Sequence, residues 1–326
     1  MIKVGVVGMG MGGSYGAKLH AIEGVEFSAM CARTQTTLDR RSKLYKEEIG
    51  AEPNQYLSVD DMLANETLDG VIIVTPSSTH HEIVVKVANA GINVLIDKPI
   101  DINQKNIEII REAVDRNNVL CGVIYPNRCN SVFSGLKKIV SENLLGKPLL
   151  CDVRLKFFRD QAYYDKGGWK GTWEFDGGGS LMNQGAHPID ILCWTFGKPK
   201  SIFGSFAALN HNIETEDWAS GVIEFESGVR SAITTTTCVA PKTDKQLFDF
   251  HAQEGSVYIE NGKVLESSYD DILELEPCKF EHPVNDFADA IINNRPPMVS
   301  IEEASWSVNI IEGFYKSSKE GKLIYL

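Results

Sequence analysis

Ile2-Lys3-Val4-Gly5-Val6-Val7-Gly8-Met9-Gly10-Met11-Gly12-Gly13 opens the chain as an apolar strand that breaks into a glycine turn, with a helix-like segment behind it. Strand, glycine turn and helix start stand in the order a dinucleotide-binding unit needs. Gly8 makes the tight turn, Gly10 lets a pyrophosphate approach the backbone, and Gly13 lets the helix pack closely on the strand, so that phosphate charge meets a helix N-terminus. Met9, Met11 and Gly12 belong to the same turn and are expected beside the cofactor. A bare GxGxxG match is weak, and an ordinary glycine-rich turn is the competing reading. Its place after a strand and before a helix favours the functional one.

The end of the second strand indicates which nicotinamide cofactor to expect. NAD-binding units usually carry a carboxylate about 20 residues on, to hold the ribose 2'-hydroxyl. Here the strand Val25 to Cys31 runs into Ala32-Arg33-Thr34, with no acid at the tip. Arg33 can instead pair with a 2'-phosphate through its planar fork and stack on adenine, with Thr34 beside it. NADP is therefore favoured, and NAD held without an acidic anchor is the alternative.

The chain has 326 residues, 43% apolar and 23% charged, as an ordinary globular protein with room for two cores does. Its formal charge of −12, with no basic run to reverse it locally, argues against nucleic acid and anionic membrane surfaces as partners. No apolar stretch reaches bilayer length, and Met1-Ile2-Lys3 enters a strand with no signal-peptide pattern, so a cytoplasmic location is expected. The seven cysteines, at 31, 121, 129, 151, 193, 238 and 278, form no CxxC pair and no zinc-spaced cluster. They read as reduced and mostly buried, and no metal is expected.

Short apolar strands alternate with helical segments through the first part. A helix from Thr36 to Ile49 is followed by strand Val71 to Val74, helix His81 to Ala90, strand Asn93 to Ile96, helix Asn103 to Arg116 and strand Val119 to Ile124. This predicts a doubly wound parallel sheet, an α/β Rossmann fold, over residues 1–123. The pattern changes near Tyr125-Pro126. After a helix from Val132 to Asn143, residues 149–158, 202–209, 218–225, 230–237 and 247–252 alternate like half-buried antiparallel strands. Two helices, Val284 to Asn293 and Ile301 to Lys319, close the chain. Residues 124–326 are thus expected to form an α+β domain with a large, mostly antiparallel open sheet.

Strand ends of an open parallel sheet face the crevice where ligands bind, which places Thr75-Pro76-Ser77, with His80 beyond, and Asp97-Lys98-Pro99 on the cofactor side. A Lys at such an end stands near a bound nicotinamide, where burial and that cationic ring lower its pKa. A Lys reaching back to a surface carboxylate is the plainer reading. In Gly177-Gly178-Gly179-Ser180-Leu181-Met182-Asn183-Gln184-Gly185-Ala186-His187-Pro188-Ile189-Asp190, a glycine hinge precedes a helical pattern. Asn183 and His187 are four apart and would share a helix face. A His there can take the proton of an alcohol as its carbon gives up hydride. A structural His is the plainer reading of that residue alone.

Together these segments resemble the family of glucose-fructose oxidoreductases and inositol dehydrogenases, nearly end to end. Thr75-Pro76 with His80 is similar to its TPxxxH segment beside the cofactor. Asp97-Lys98-Pro99 resembles its EKP motif, with Asp for Glu, and the resemblance implies that Lys98 is catalytic. Residues 177–190 resemble GGGxLxDxGxHxxD, which implies a catalytic His187. Trp169-Lys170-Gly171 is similar to a Trp-Arg element, and Arg128 stands where many members carry an Arg. Asn183 departs from the family's common Asp, so the usual carboxylate near Lys98 and His187 is missing.

The resemblance implies an NAD(P)-dependent dehydrogenase or reductase of a secondary hydroxyl or ketone on a sugar, polyol or sugar derivative. Lys98 and His187 would be its acid/base pair, Asn183 would orient the substrate, and Tyr125, Arg128, Trp169 and Lys170 would line the substrate pocket. Arg154, Lys156 and Arg159 offer further positive charge, either for an anionic substrate group or simply for solvent. A homodimer or homotetramer is implied. The rivals are a non-catalytic NAD(P)-binding sensor of the same fold and an enzyme acting on a non-sugar carbonyl.

Overall fold

The computed structural model describes residues 1–10 and 12–326. They fall into two compact units, Met1–Ile124 with His282–Ile301, and Tyr125–Glu281 with Glu302–Leu326.

The first unit is built on six strands: β1 (Ile2–Val7), β2 (Val25–Cys31), β3 (Asn54–Tyr56), β4 (Gly70–Ile73), β5 (Asn93–Asp97) and β6 (Cys121–Ile124). All pair in parallel, in the order β3-β2-β1-β4-β5-β6. β1 and β4 read as unbroken apolar runs because Val4, Val6, Val71, Ile72 and Ile73 are wholly buried, as strands covered on both faces require. The strand order reverses between β1 and β4, and a ligand crevice opens at the carboxyl ends of strands at such a switch point.

The expected division at residue 123 is amended. The segment His282–Ile301, assigned from sequence to the second domain, belongs to the first unit. Its helix Pro283–Ile292 starts on a proline, with the His282 ring accepting the Val284 N–H at 3.2 Å. The apolar face of this helix completes the first core: Val284, Phe287 and Ala288 join Val4, Val6, Ile72 and Leu95. A Cβ added to Gly70 would lie 2.8 Å from the Ile291 Cδ1 and 3.0 Å from the Phe287 ring, so strand and helix pack closely at this glycine. Sequence periodicity showed the amphipathic helix but not which core it covers.

The second unit carries eight strands: β7 (Pro148–Lys156), β8 (Pro199–Ala207), β9 (Trp218–Phe225), β10 (Arg230–Thr236), β11 (Lys245–Ala252), β12 (Ser256–Glu260), β13 (Lys263–Ser267) and β14 (Ile324–Tyr325). Their order is β13-β12-β11-β7-β10-β9-β8-β14, antiparallel except where β7 meets β10. The alternation that predicted these strands is visible in β7, where Cys151, Val153 and Leu155 are buried and Arg154 and Lys156 are exposed. The short β12, β13 and β14 were not foreseen.

Candidate functional site

In the first unit, the end of β1 turns at Gly8, whose φ of +100° only glycine adopts without strain and where a Cβ would stand 2.2 Å from the Val74 carbonyl oxygen. The helix Gly13–His20 has no acid in its first turn, and the space beyond the Gly10 Cα is open. A glycine turn, an open face and an unopposed helix N-terminus fit the diphosphate of a dinucleotide. Met9 is buried, Gly12 precedes the helix, and Met11 lies outside the described residues. Arg41, overlooked in the sequence, donates from Nε to the Met9 carbonyl at 2.9 Å and from a terminal nitrogen to the Gly10 carbonyl. It reaches the loop from within the helix Gln35–Ile49, a placement that strand-end reasoning does not reveal.

Arg33 is exposed just past β2. Thr34 caps the next helix, its side chain accepting the Thr37 N–H. At the end of β4, Thr75 Oγ accepts the Thr79 hydroxyl at 2.8 Å, and the buried Ser77 starts a one-turn 3-10 helix. His80 is wholly buried, with its ring nitrogens 3.1 Å from the Pro99 carbonyl and 3.0 Å from the Thr75 carbonyl. These contacts tie the ends of β4 and β5 together. Asp97 is buried and accepts the Tyr15 hydroxyl at 3.2 Å; burial raises its pKa, against the pull of Lys98. Lys98 is half-buried and joined to Pro99 by a cis peptide.

In the second unit, Ser180–Gly185 is a π-helical turn that runs into the α-helix Ala186–Phe196. Such widened turns are frequent at functional sites, and this one replaces the simple α-helical spacing expected between Asn183 and His187. Pro188 sits in the first turn of the α-helix, where a missing N–H costs little. His187 is half-buried, with its ring edge-on to the buried Tyr125 at 6.2 Å between centroids. The Tyr125 hydroxyl bonds Ser307 at 2.9 Å, so Tyr125 acts as a wall beside the imidazole.

Asp176 and Glu216, both missed in the sequence, hold this segment. Asp176 accepts the Gly171 N–H at 2.9 Å and the Asn183 amide at 3.3 Å. A carboxylate is thus present next to residue 183, supplied by the preceding loop. Glu216 is wholly buried and accepts the N–H groups of Gly179 at 2.8 Å and Leu181 at 2.7 Å, with the Tyr315 hydroxyl at 3.2 Å. At Gly179 a Cβ would fall 1.8 Å from the Glu216 carbonyl oxygen, which explains the glycine.

Burial pushes the Glu216 carboxyl up from 4.5 to about 7. The folded protein then holds this proton more tightly than the unfolded chain does. Glu216 favours the fold below pH about 4.5, and that contribution is lost as pH rises through about 7, a change of about 3 kcal/mol. We expect urea unfolding of the wild type, compared with Glu216→Gln, to show this decline between pH 5 and 8. Parallel profiles for the two proteins would refute it.

Arg128 corrects an expectation. Only 1% exposed, it grips Asp190 bidentately at 3.0 and 2.7 Å and Glu303 at 2.8 Å, so its donors are committed to carboxylates and it does not line a substrate pocket. Trp169 and Lys170 lie half-buried on the loop before Asp176, and the Lys170 ammonium stands 3.6 Å from the Tyr163 ring centroid.

His211 and Asp217, six residues apart, are joined by Cys238 from a later strand end, their ligating atoms within 4.8 Å of one another. The Asp217 carboxylate accepts the N–H groups of Leu209, Asn210 and His211 at 2.7, 2.9 and 2.8 Å, and lies 2.9 Å from His211 Nδ1. These bonds anchor a turn. Among the described residues no helix is long and apolar enough to cross a membrane.

The GFO/IDH/MocA oxidoreductase model with an NAD-binding Rossmann fold matches residues 2–125, and the GFO/IDH/MocA C-terminal domain model matches residues 133–258. The chain belongs to the GFO/IDH/MocA family. It is an NAD(P)-dependent oxidoreductase. Among its relatives in this family, the scyllo-inositol 2-dehydrogenase (NAD(+)) of Bacillus subtilis is 25% identical over 100% of this chain and 96% of its own. The scyllo-inositol 2-dehydrogenase (NADP(+)) of the same organism is 25% identical over 78% and 68%. The WlbA dehydrogenase of Chromobacterium violaceum, solved with NADH and UDP-GlcNAcA, superposes with a TM-score of 0.88 at 27% identity, covering 100% of this chain and 96% of its own.

Proposed function

We propose that this oxidoreductase transfers hydride between a nicotinamide and a secondary hydroxyl or ketone of a sugar, polyol or sugar derivative. His187, half-buried against Tyr125 on a helix start fixed by Glu216 and Asp176, is the observation that carries the reading. The nicotinamide supplies or accepts the hydride. His187 exchanges the hydroxyl proton, Lys98 hydrogen-bonds the same oxygen and stabilises charge on it, and Asn183 orients the substrate. Named relatives that act on inositols, and one solved with a nucleotide sugar acid, support the substrate class. Retention of both Lys98 and His187 supports an enzyme over a sensor.

The test is reduced-nicotinamide fluorescence with NADP or NAD across polyols, pyranoses, sugar acids and nucleotide sugars. Turnover that disappears in His187→Ala supports the reading, and tight cofactor binding with no turnover across the panel defeats it. The protein is read as cytoplasmic, and as a homodimer or homotetramer through the sheet face that exposes Leu150, Phe203 and Val222.

Among cofactors, NADP is proposed over NAD, because Arg33 is exposed where NAD enzymes carry an acid. Arg33→Ala should weaken NADPH roughly tenfold and leave NADH unchanged, the loss of one charge-assisted contact. Arg41→Ala should weaken both, since Arg41 holds the shared glycine loop. Fluorescence titration checks this, and equal NADPH affinity before and after Arg33→Ala would end the phosphate assignment.

A further inference from the structure

Between Phe158 and Gly171 the second unit gathers three cations, on a chain whose net charge is −12. Two stand against one aromatic ring: from the Tyr163 centroid the Arg159 guanidinium carbon is 5.0 Å away and the Lys170 ammonium 3.6 Å. Lys166 adds a third positive charge that acts on Lys170. Asp176 acts on Lys170 as a partial counter-charge, and the neighbouring acids also hold other partners. Asp160 accepts the Tyr163 N–H at 2.9 Å, Asp165 accepts the Gln161 amide at 3.0 Å, and Asp176 serves Gly171 and Asn183. Among the described residues, neither Arg159 nor Lys170 forms an ion pair, and both are half-buried. Two or three positive charges brought together partly out of water, with the Asp176 carboxylate as their one nearby counter-charge, are relieved further when an anion arrives.

The frame under them is rigid. The Arg159 N–H donates to the Thr237 carbonyl at 3.2 Å, and the Arg159 carbonyl lies 2.9 Å from His211 Nε2, whose other ring nitrogen faces Asp217. The cluster also connects to the segment that carries His187. The Gln184 amide donates to the Tyr163 hydroxyl at 3.4 Å and to Asn183 Oδ1 at 3.3 Å, on the π-helical turn that leads directly to His187. A planar guanidinium and a compact ammonium on one aromatic platform suit a carboxylate or phosphate rather than a neutral hydroxyl.

We propose that Arg159 and Lys170 form a subsite for one anionic group, a carboxylate or a phosphate, on the sugar substrate. This rests on the hydride-transfer reading above. The test uses D-glucose, D-glucuronate and D-glucose 6-phosphate with wild type, Arg159→Gln, Lys170→Gln and Lys170→Arg, all cofactor-loaded. Steady-state kinetics are measured alongside calorimetric binding, with near-ultraviolet circular dichroism to confirm each fold. We expect at least one anionic sugar to bind and react with kcat/KM roughly tenfold or more above glucose. Each Gln variant should lose that advantage mainly in KM, and Lys170→Arg should restore much of it. Preference between the two anions identifies carboxylate or phosphate. Turnover of all three sugars with equal kcat/KM would overturn the subsite and leave hydride transfer intact. An anion that binds wild type but neither Gln variant, with no turnover of any sugar, would keep the subsite and defeat the hydride-transfer reading. Failure of wild type to bind either anion, or binding unchanged in both Gln variants, overturns the subsite.

Discussion

Replacing His187 by Ala should lower turnover by roughly 10² to 10⁴, the usual contribution of a positioned general acid or base, while NADPH and NADH affinities stay within about twofold. The geometry supports this separation. His187 belongs to a helix of the second unit and bears on Tyr125, whereas the glycine turn, Arg33 and the ends of β4 and β5 belong to the first. Under the proposed role, truncating the ring would remove the proton acceptor and leave Glu216, Asp176 and the π-helical turn in place. Lys98→Met should likewise reduce turnover, through the loss of a charged donor to the reacting oxygen. The two variants differ in their rescue. Added imidazole should restore part of the activity of His187→Ala and none of that of Lys98→Met, by occupying the vacated space with a mobile base. Full activity in His187→Ala, measured by reduced-nicotinamide fluorescence at saturating cofactor, would refute the acid/base role.

Arg128→Met should cost roughly 3–5 kcal/mol of stability, because it strands Asp190 in the interior. Asp190 is wholly buried and burial already pushes its pKa up; the bidentate Arg128 contact is what pulls it back. Without that partner the carboxylate must take up a proton or draw in water, and either costs the fold. Glu303 keeps some solvent and suffers less. The double variant Arg128→Met, Asp190→Leu should recover most of the loss, since well-packed apolar groups can replace a buried ion pair at little cost. Urea unfolding followed by tryptophan fluorescence reads the effect, with Trp194 beneath the Arg128 guanidinium as a local probe. A single variant within about 1 kcal/mol of wild type would show that Asp190 finds another partner.

Legibility in the sequence followed how local each feature is. β1, the glycine turn and the strands from β4 to β6 were readable because parallel strands buried on both faces are short unbroken apolar runs. β7 to β11 were readable through alternation on a sheet with one covered face. β12 alternates, with Val257 and Ile259 buried, and was overlooked, whereas β13 and β14 show no period, and the destination of the helix Pro283–Ile292 depends on a core more than 150 residues upstream. Lys98 and His187 were singled out through motifs, and the structure places each at the end of a strand or the start of a helix. Arg128 was misread because a substrate-facing Arg and one buried against Asp190 and Glu303 look alike in one dimension. Asp176 and Glu216 were invisible for the converse reason: each acts on backbone N–H groups that only the folded loop presents.

The helix Pro283–Ile292 also bears on how the molecule is made. Because Val284, Phe287 and Ala288 sit in the same core as Val4 and Val6, the unit whose strands precede the second unit in the chain is completed only after most of that unit has been made. Its β-strands emerge early, yet their covering layer follows only after nearly the whole second unit has been translated. In the interval Gly70 and its neighbours present an uncovered apolar patch to the cell, the kind of surface chaperones bind. A gene cut after codon 124 would lock that interval in place, so the nucleotide-binding half of this protein is not a portable module despite its familiar fold.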